Sequence, residues 1–182
     1  MAQQTRSTSK LGYEQYVCIP DDGRRHEIID GDHYLNPAPA TYHQRLSGRI
    51  HFQLYEQIDL PRIGEVYCAP TDVQLTDHDI VQPDLIVVLN ERKAIITPTK
   101  IKGVPDLVVE ILSESTIKND RVLKKELYER VGIPEYWIVD PEEHLVDQFV
   151  LTSKQYVHRG SFDVELDVAT IPSVTVNLSQ VW

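Results

Sequence analysis

The sequence predicts an α/β protein, a central mixed β-sheet flanked by helices, with an N-terminal β-hairpin and additional C-terminal strands. Three observations carry this. Leu46, Ile50, Leu54 and Ile58 recur every fourth residue, as one face of a helix requires. Leu85–Leu89 and Leu107–Leu112 are apolar runs of strand length, the pattern of strands buried on both faces. Beyond Pro61 the strand patterns are interrupted by a further helical stretch, which a helical bundle would not show.

In chain order, residues 1–11 are polar and expected to form a flexible tail, and 12–182 a single domain. His26–Leu35 reads as two short strands around Asp30-Gly31, a hairpin signal. Pro37 and Pro39 break the pattern, and the helix then runs from Tyr42 to about Leu60, where Pro61 stops it. Glu65–Ala69, Asp72–Leu75 and Asp84–Leu89 are strand candidates. Asn90–Pro105 is a connection with a short strand near Ala94–Thr97. Asp106–Leu112 is a strand, and Ile117–Val131 a helix that starts near Thr116 or Asn119 and ends at Gly132 and Pro134. Glu135–Val139, the hairpin His144–Leu151 with Gln155–His158, and Val174–Leu178 complete the set.

Composition removes several classes. The 182 residues carry 18 Lys and Arg against 28 Asp and Glu, a formal charge of −10, which is no generic coat for nucleic acid. Two cysteines without CxxC spacing exclude a disulfide framework and a Cys-rich zinc site. The first residues lack the apolar stretch of a secretory signal, and no run is long and apolar enough for a membrane span, so a cytoplasmic protein is expected. Neither a phosphate-cradling glycine loop nor a cysteine nucleophile is visible.

Glu110 is out of place, because it interrupts the otherwise apolar Leu107–Leu112. An unpaired carboxylate there costs several kcal/mol, so the chain needs a reason to keep it. A structural ion pair or an edge strand would supply one; a metal-binding or catalytic role would supply another. If 84–89 pairs antiparallel with 106–112, Asp84 comes to lie beside Glu110. Two carboxylates so close repel unless a cation lies between them, and oxygen ligands completed by water and phosphate suit Mg²⁺. On the helix, Asp120, Lys124, Leu127, Tyr128 and Val131 share one arc, so Lys124 projects from the apolar side while Lys125 faces water. Lys124 either snorkels to an edge or reaches the acid pair. Glu27 in the hairpin and His43 at the start of the long helix are weaker candidates. Lys118, Arg121, Lys124, Lys125 and Arg130 against Asp120, Glu126 and Glu129 leave this helix with about +2 formal charge, a local surface for phosphate to which Arg121 and Lys125 would contribute.

These residues fall into a recognisable order: Glu27-Ile-Ile-Asp-Gly31, Pro39-Ala40 with His43, Pro83-Asp84, Pro105-Asp-Leu-Val-Val-Glu-Ile-Leu-Ser113, Asp120-x3-Lys124-x3-Tyr128 and Gly132-Ile-Pro-Glu-Tyr-Trp-Ile-Val-Asp-Pro141. Over about residues 12–182 the chain resembles the Uma-type family of endonucleases, a domain-of-unknown-function group within the PD-(D/E)XK restriction-endonuclease-like superfamily. The resemblance implies a restriction-endonuclease-like fold, a Mg²⁺ (or Mn²⁺) site held by Asp84 and Glu110, and hydrolysis of phosphodiester bonds in nucleic acid, DNA being the expected partner. It makes Asp84 the first acid of the motif and Glu110 the second. The lysine that usually follows two residues later is Leu112 here, and Lys124 would supply the missing amine from the helix. Glu27 would be an additional acid and His43 a residue at the site's edge.

The alternative is a catalytically inactive binding or assembly module on the same fold. A homodimer is expected at this size, with Tyr136-Trp137, the Tyr55 side of the long helix and Val181-Trp182 either core residues or candidate contact surface. A glycosidase using two carboxylates fits less well, since a lysine beside an acid pair suits phosphate better.

Overall fold

A computed structural model describes residues 3–5, 10–113 and 119–182, with the side chains of 10–113 and 121–182. The expected helix start at Thr116 and Ile117 lies outside the described residues, as do Lys118 and the side chain of Asp120. In chain order the strands are β1 (Gln3–Thr5), β2 (Arg25–Ile29), β3 (Asp32–Asn36), β4 (Gly64–Cys68), β5 (Val73–Thr76), β6 (Asp79–Val81), β7 (Leu85–Leu89), β8 (Ile101–Lys102), β9 (Leu107–Ile111), β10 (Glu135–Asp140), β11 (Leu145–Thr152), β12 (Gln155–Phe162), β13 (Glu165–Asp167) and β14 (Thr175–Asn177). The helices are α1 (Tyr13–Tyr16), α2 (Thr41–Leu54) and α3 (Lys125–Val131). Wide π-type turns continue α2 over Tyr55–Asp59 and precede α3 over Asn119–Lys124.

The expected mixed sheet is present, in the order β12-β11-β10-β9-β7-β4. Its only parallel pair among the described strands is β9 with β10, the two strands joined through α3. A second sheet, β1-β3-β2-β6-β5-β8, grows out of the N-terminal hairpin and even recruits Gln3–Thr5 from the expected tail. Between β6 and β7 only Gln82-Pro83-Asp84 intervene, so the chain passes from the second sheet to the first at Asp84.

The apolar periodicity of α2 explains one face of the mixed sheet. Leu46, Ile50, Leu54 and Ile58 are fully buried against Leu85, Val87, Leu107, Val109 and Trp137, together with C-terminal residues such as Leu166 and Val176. Each such side chain contributes about 1.5–3 kcal/mol relative to exposure. Alternation sends Ile86, Val88, Val108 and Leu112 to the opposite face, where Leu127 and Tyr128 of α3 and residues of the second sheet cover them. Glu110 belongs to that second face.

Several local readings need correction. Ala94–Thr97 is not a strand: Asn90–Ile95 forms a helical turn, and only Ile96 bridges to Ile101. Its charged residues have no strand alternation and are held individually, Arg92 by Asp106 and Lys93 by Glu65. Strands β6, β8 and β13 are two or three residues long, too short to carry a periodic signal. Of the two readings of the apolar candidates, Tyr136 and Trp137 on interior strand β10 and Val181 beside Leu178 are core residues, each fully buried, whereas Tyr55 remains exposed.

α3 ends at Gly132, whose φ of 88° is left-handed and whose N–H donates to the Tyr128 and Glu129 carbonyls. Space around it is open, the nearest heavy atom to an added Cβ being 3.9 Å away. Gly132→Ala is therefore expected to cost about 1 kcal/mol from backbone conformation alone, as measured by urea denaturation.

Candidate active site

The register of β7 against β9 pairs Leu85 with Val109 and Ile86 with Val108, which sets Asp84 opposite Glu110. Both point to the face covered by the second sheet and α3. Glu27 arrives from β2, whose side chains at 25 and 27 share one face. All three acids are buried, at 1% (Glu27), 4% (Asp84) and 2% (Glu110) exposure, and so is Lys124, at 4%.

The Lys124 ammonium bridges two of them, with Nζ 3.0 Å from Glu27 Oε1 and 3.0 Å from Glu110 Oε1. One helical turn on, the Tyr128 hydroxyl donates to the same Glu110 oxygen at 2.7 Å. Burial, then Glu110 and Glu27, push the Tyr128 phenol well above its ordinary pKa, so it stays a donor. Glu27 also accepts from the Asn36 amide at 2.7 Å and from the Gln82 backbone N–H at 2.8 Å. Leu112 is buried in the core, and the amine beside Glu110 comes from Lys124.

Asp84 is held separately. Arg25 Nη1 donates to Oδ1 at 2.7 Å, and the Ile111 N–H donates to Oδ2 at 2.9 Å. His43 Nε2 lies 3.0 Å from Oδ2 and 3.1 Å from the Ile111 carbonyl oxygen. Both neighbours are acceptors, so Nε2 carries the proton. Burial alone would raise the Asp84 pKa, but the His43 hydrogen bond and charge, Arg25 and the Ile111 N–H outweigh it and hold the carboxyl at about 2, down from 3.8. Although burial also opposes its charge, Arg25 is kept firmly cationic by Asp84, then by Glu27 and Glu110.

This has a consequence for acid stability. A depressed folded-state pKa contributes stability that is complete above the unfolded value and disappears as pH falls through the folded one. Asp84 is therefore expected to contribute about 2–3 kcal/mol at neutral pH. That contribution declines from about pH 4 towards about pH 2. Urea unfolding across this range should show the decline in the native protein and a flatter profile in Asp84→Asn.

Two sequence candidates for phosphate contact are engaged elsewhere. Arg121 binds Asp140 at 2.8 Å and Asp147 at 3.2 Å. Lys125 is half-buried rather than solvent-facing, its ammonium 4.5 Å from the Phe149 ring centroid. Lys125 opens α3, and its long side chain folds back over Phe149 of β11, a contact that its position around the helix does not reveal. Sequence reasoning missed Arg25, Asn36 and Gln82. Arg25 was detectable, since it stands two residues before Glu27 on a strand.

Beside Arg25 and His43 a cavity of about 510 Å³ opens between the Pro37–Ala40 segment, Leu112-Ser113 and Pro141-Glu142. Among the described residues no three His, Cys, Asp or Glu side chains are grouped as ligands of one ion. No helix among them is long and apolar enough to cross a membrane.

A mixed sheet flanked by helices, with buried acids and a lysine gathered where two sheets meet, defines a restriction-endonuclease-like α/β protein. Residues 13–179 match the model of the Uma2 family, described as "putative restriction endonuclease", and the chain belongs to that family. The structure is similar to the crystal structure of a "putative nuclease belonging to DUF820" from Anabaena variabilis, with a TM-score of 0.78 at 18% identity, over 94% of this chain and 97% of that one. No curated protein matches the sequence.

Proposed function

We propose that the protein is a divalent-metal-dependent nuclease, hydrolysing phosphodiester bonds with Asp84, Glu110, Lys124 and Glu27 as its working residues. The observation that carries this reading is the lysine 3.0 Å from each of two buried carboxylates, with a third acid set opposite by strand register.

The donor chemistry fits a hard cation. Asp84 Oδ2 and the Ile111 carbonyl oxygen lie on the same side of the site, both accepting from the His43 Nε2–H at 3.0 and 3.1 Å. Carboxylate and carbonyl oxygens are what Mg²⁺ or Mn²⁺ prefers, and Asp84 and Glu110 would hold it. Such an ion supplies Lewis-acid activation of the phosphate and a more acidic bound water. Charge supports the same conclusion. Three carboxylates against Arg25, Lys124 and, when protonated, His43 leave the cluster no surplus positive charge for a phosphate, which a divalent ion would supply.

Lys124 would orient the attacking water and stabilise charge on the pentavalent phosphate, with Tyr128 fixing Glu110 as its partner. Glu27, tied to Asn36 and Gln82, keeps the ammonium directed at Glu110. His43 and Arg25 hold Asp84 ionised.

The test is incubation of purified protein with plasmid and single-stranded DNA, with and without Mg²⁺ or Mn²⁺, alongside calorimetric titration of the metal. Metal-dependent cleavage is expected. Absence of both cleavage and metal binding would leave the inactive binding module on the same fold.

A further inference from the structure

We infer that the 510 Å³ cavity beside Asp84, together with an aromatic shelf at its mouth, is a subsite for an unpaired nucleic-acid strand; this rests on the nuclease reading and names its substrate class. The shelf is built from distant parts of the chain. Tyr42, 37% exposed at the start of α2, puts its hydroxyl 3.3 Å from His144 Nε2. The exposed His144 ring is backed by Trp182, with centroids 5.1 Å apart and planes within 9°. Tyr42 also lines the cavity, so shelf and cavity are continuous.

The cavity leads inward to Arg25 and His43, the two residues that hold Asp84. Its walls are largely apolar, from Pro37, Pro39, Leu112 and Pro141. Arg25 Nε and His43 Nδ1, both on lining residues, are buried polar atoms without a hydrogen-bond partner among the described residues. A largely apolar recess with polar groups among its lining residues suits a nucleobase, and its volume falls within the range of small-molecule sites.

An unpaired strand fits better than a duplex for two physical reasons. Bases stack on protein rings only when their faces are free, and in a duplex those faces are covered by neighbouring bases. Duplex binding also depends on many phosphate contacts from Lys and Arg, and a chain of net charge −10 is poorly supplied with them. Stacking needs no such excess of cations.

Fluorescence anisotropy with a labelled oligothymidylate and with a duplex of equal length, both without divalent metal so that neither is cut, tests the assignment. The single strand is expected to bind at least about tenfold more tightly, and Tyr42→Leu and His144→Asn to weaken it by roughly fivefold or more each. Asn tolerates the left-handed backbone of His144, at φ 53°, and thermal melting checks that both variants fold. Equal affinity for duplex, failure to bind either DNA, or no change in both Tyr42→Leu and His144→Asn would overturn the proposal. Strand binding that follows this pattern in a protein that never cleaves supports the subsite and removes the nuclease reading. Metal-dependent cleavage without strand preference, unaffected by Tyr42→Leu, does the reverse.

Discussion

Lys124→Met lowers the free energy of unfolding by about 3–5 kcal/mol, the largest stability loss expected from one substitution in this protein. The reason is local. Glu27 and Glu110 are almost completely buried, and the Lys124 ammonium lies 3.0 Å from each. Removing it leaves two like charges facing one another in a medium of low dielectric. Against a typical total of about 5–15 kcal/mol this is a substantial fraction. Methionine keeps most of the side-chain volume, so the loss reports charge rather than a cavity. Adding Glu27→Gln and Glu110→Gln to Lys124→Met should recover part of the deficit, because neutral amides can remain buried at smaller cost. Urea denaturation of the single and triple variants measures both values. A Lys124→Met protein as stable as the native one would mean that the acids are already neutral or solvated.

Asp84→Ala and Glu110→Ala are each expected to abolish metal-dependent cleavage, by at least roughly 10³-fold, the scale of losing a charged group that acts on the transition state. Their effect on folding must be separated from their effect on chemistry. Asp106→Asn provides the control. Asp106 is a buried carboxylate immediately before the same strand as Glu110, but it accepts from the Leu89 N–H and pairs with Arg92, away from the cluster. It should destabilise while leaving cleavage by the folded fraction unchanged. Equal loss of cleavage in all three variants would assign the effect to folding, and full activity in Asp84→Ala or Glu110→Ala would discard the proposed roles. Calorimetric titration with Mn²⁺ gives a second readout, since the two alanine variants should lose metal binding and Asp106→Asn should not.

Much of the scaffold was legible because burial leaves a periodic trace. The fourfold spacing of Leu46, Ile50, Leu54 and Ile58 marked α2, and these side chains are fully buried. The apolar runs mark β7 and β9, and the antiparallel pairing on which the Asp84–Glu110 juxtaposition depends is present. Glu110 itself stood out because a carboxylate among aliphatic neighbours contradicts its surroundings. The second sheet was less legible. Its strands β6 and β8 are two or three residues long, and a short strand has no period to read. Lys125 departs from the water-facing position its place on the helix implies because its flexible stem carries the ammonium over the Phe149 ring.

The sequence alone determined the long helix, the longer strands of the mixed sheet and the faces they bury, and that one acid among aliphatic residues required a partner. Those properties depend on neighbours a few positions away, so local spacing encodes them. Only the tertiary structure decided what surrounds each acid. Arg25 and His43 meet Asp84, and Glu27 meets Lys124, across long stretches of chain brought together where the polypeptide crosses from one sheet to the other. Tyr42, His144 and Trp182 converge by the same means. Electrostatic and stacking contacts between remote segments leave no period in the sequence, because their geometry exists only once both sheets have packed.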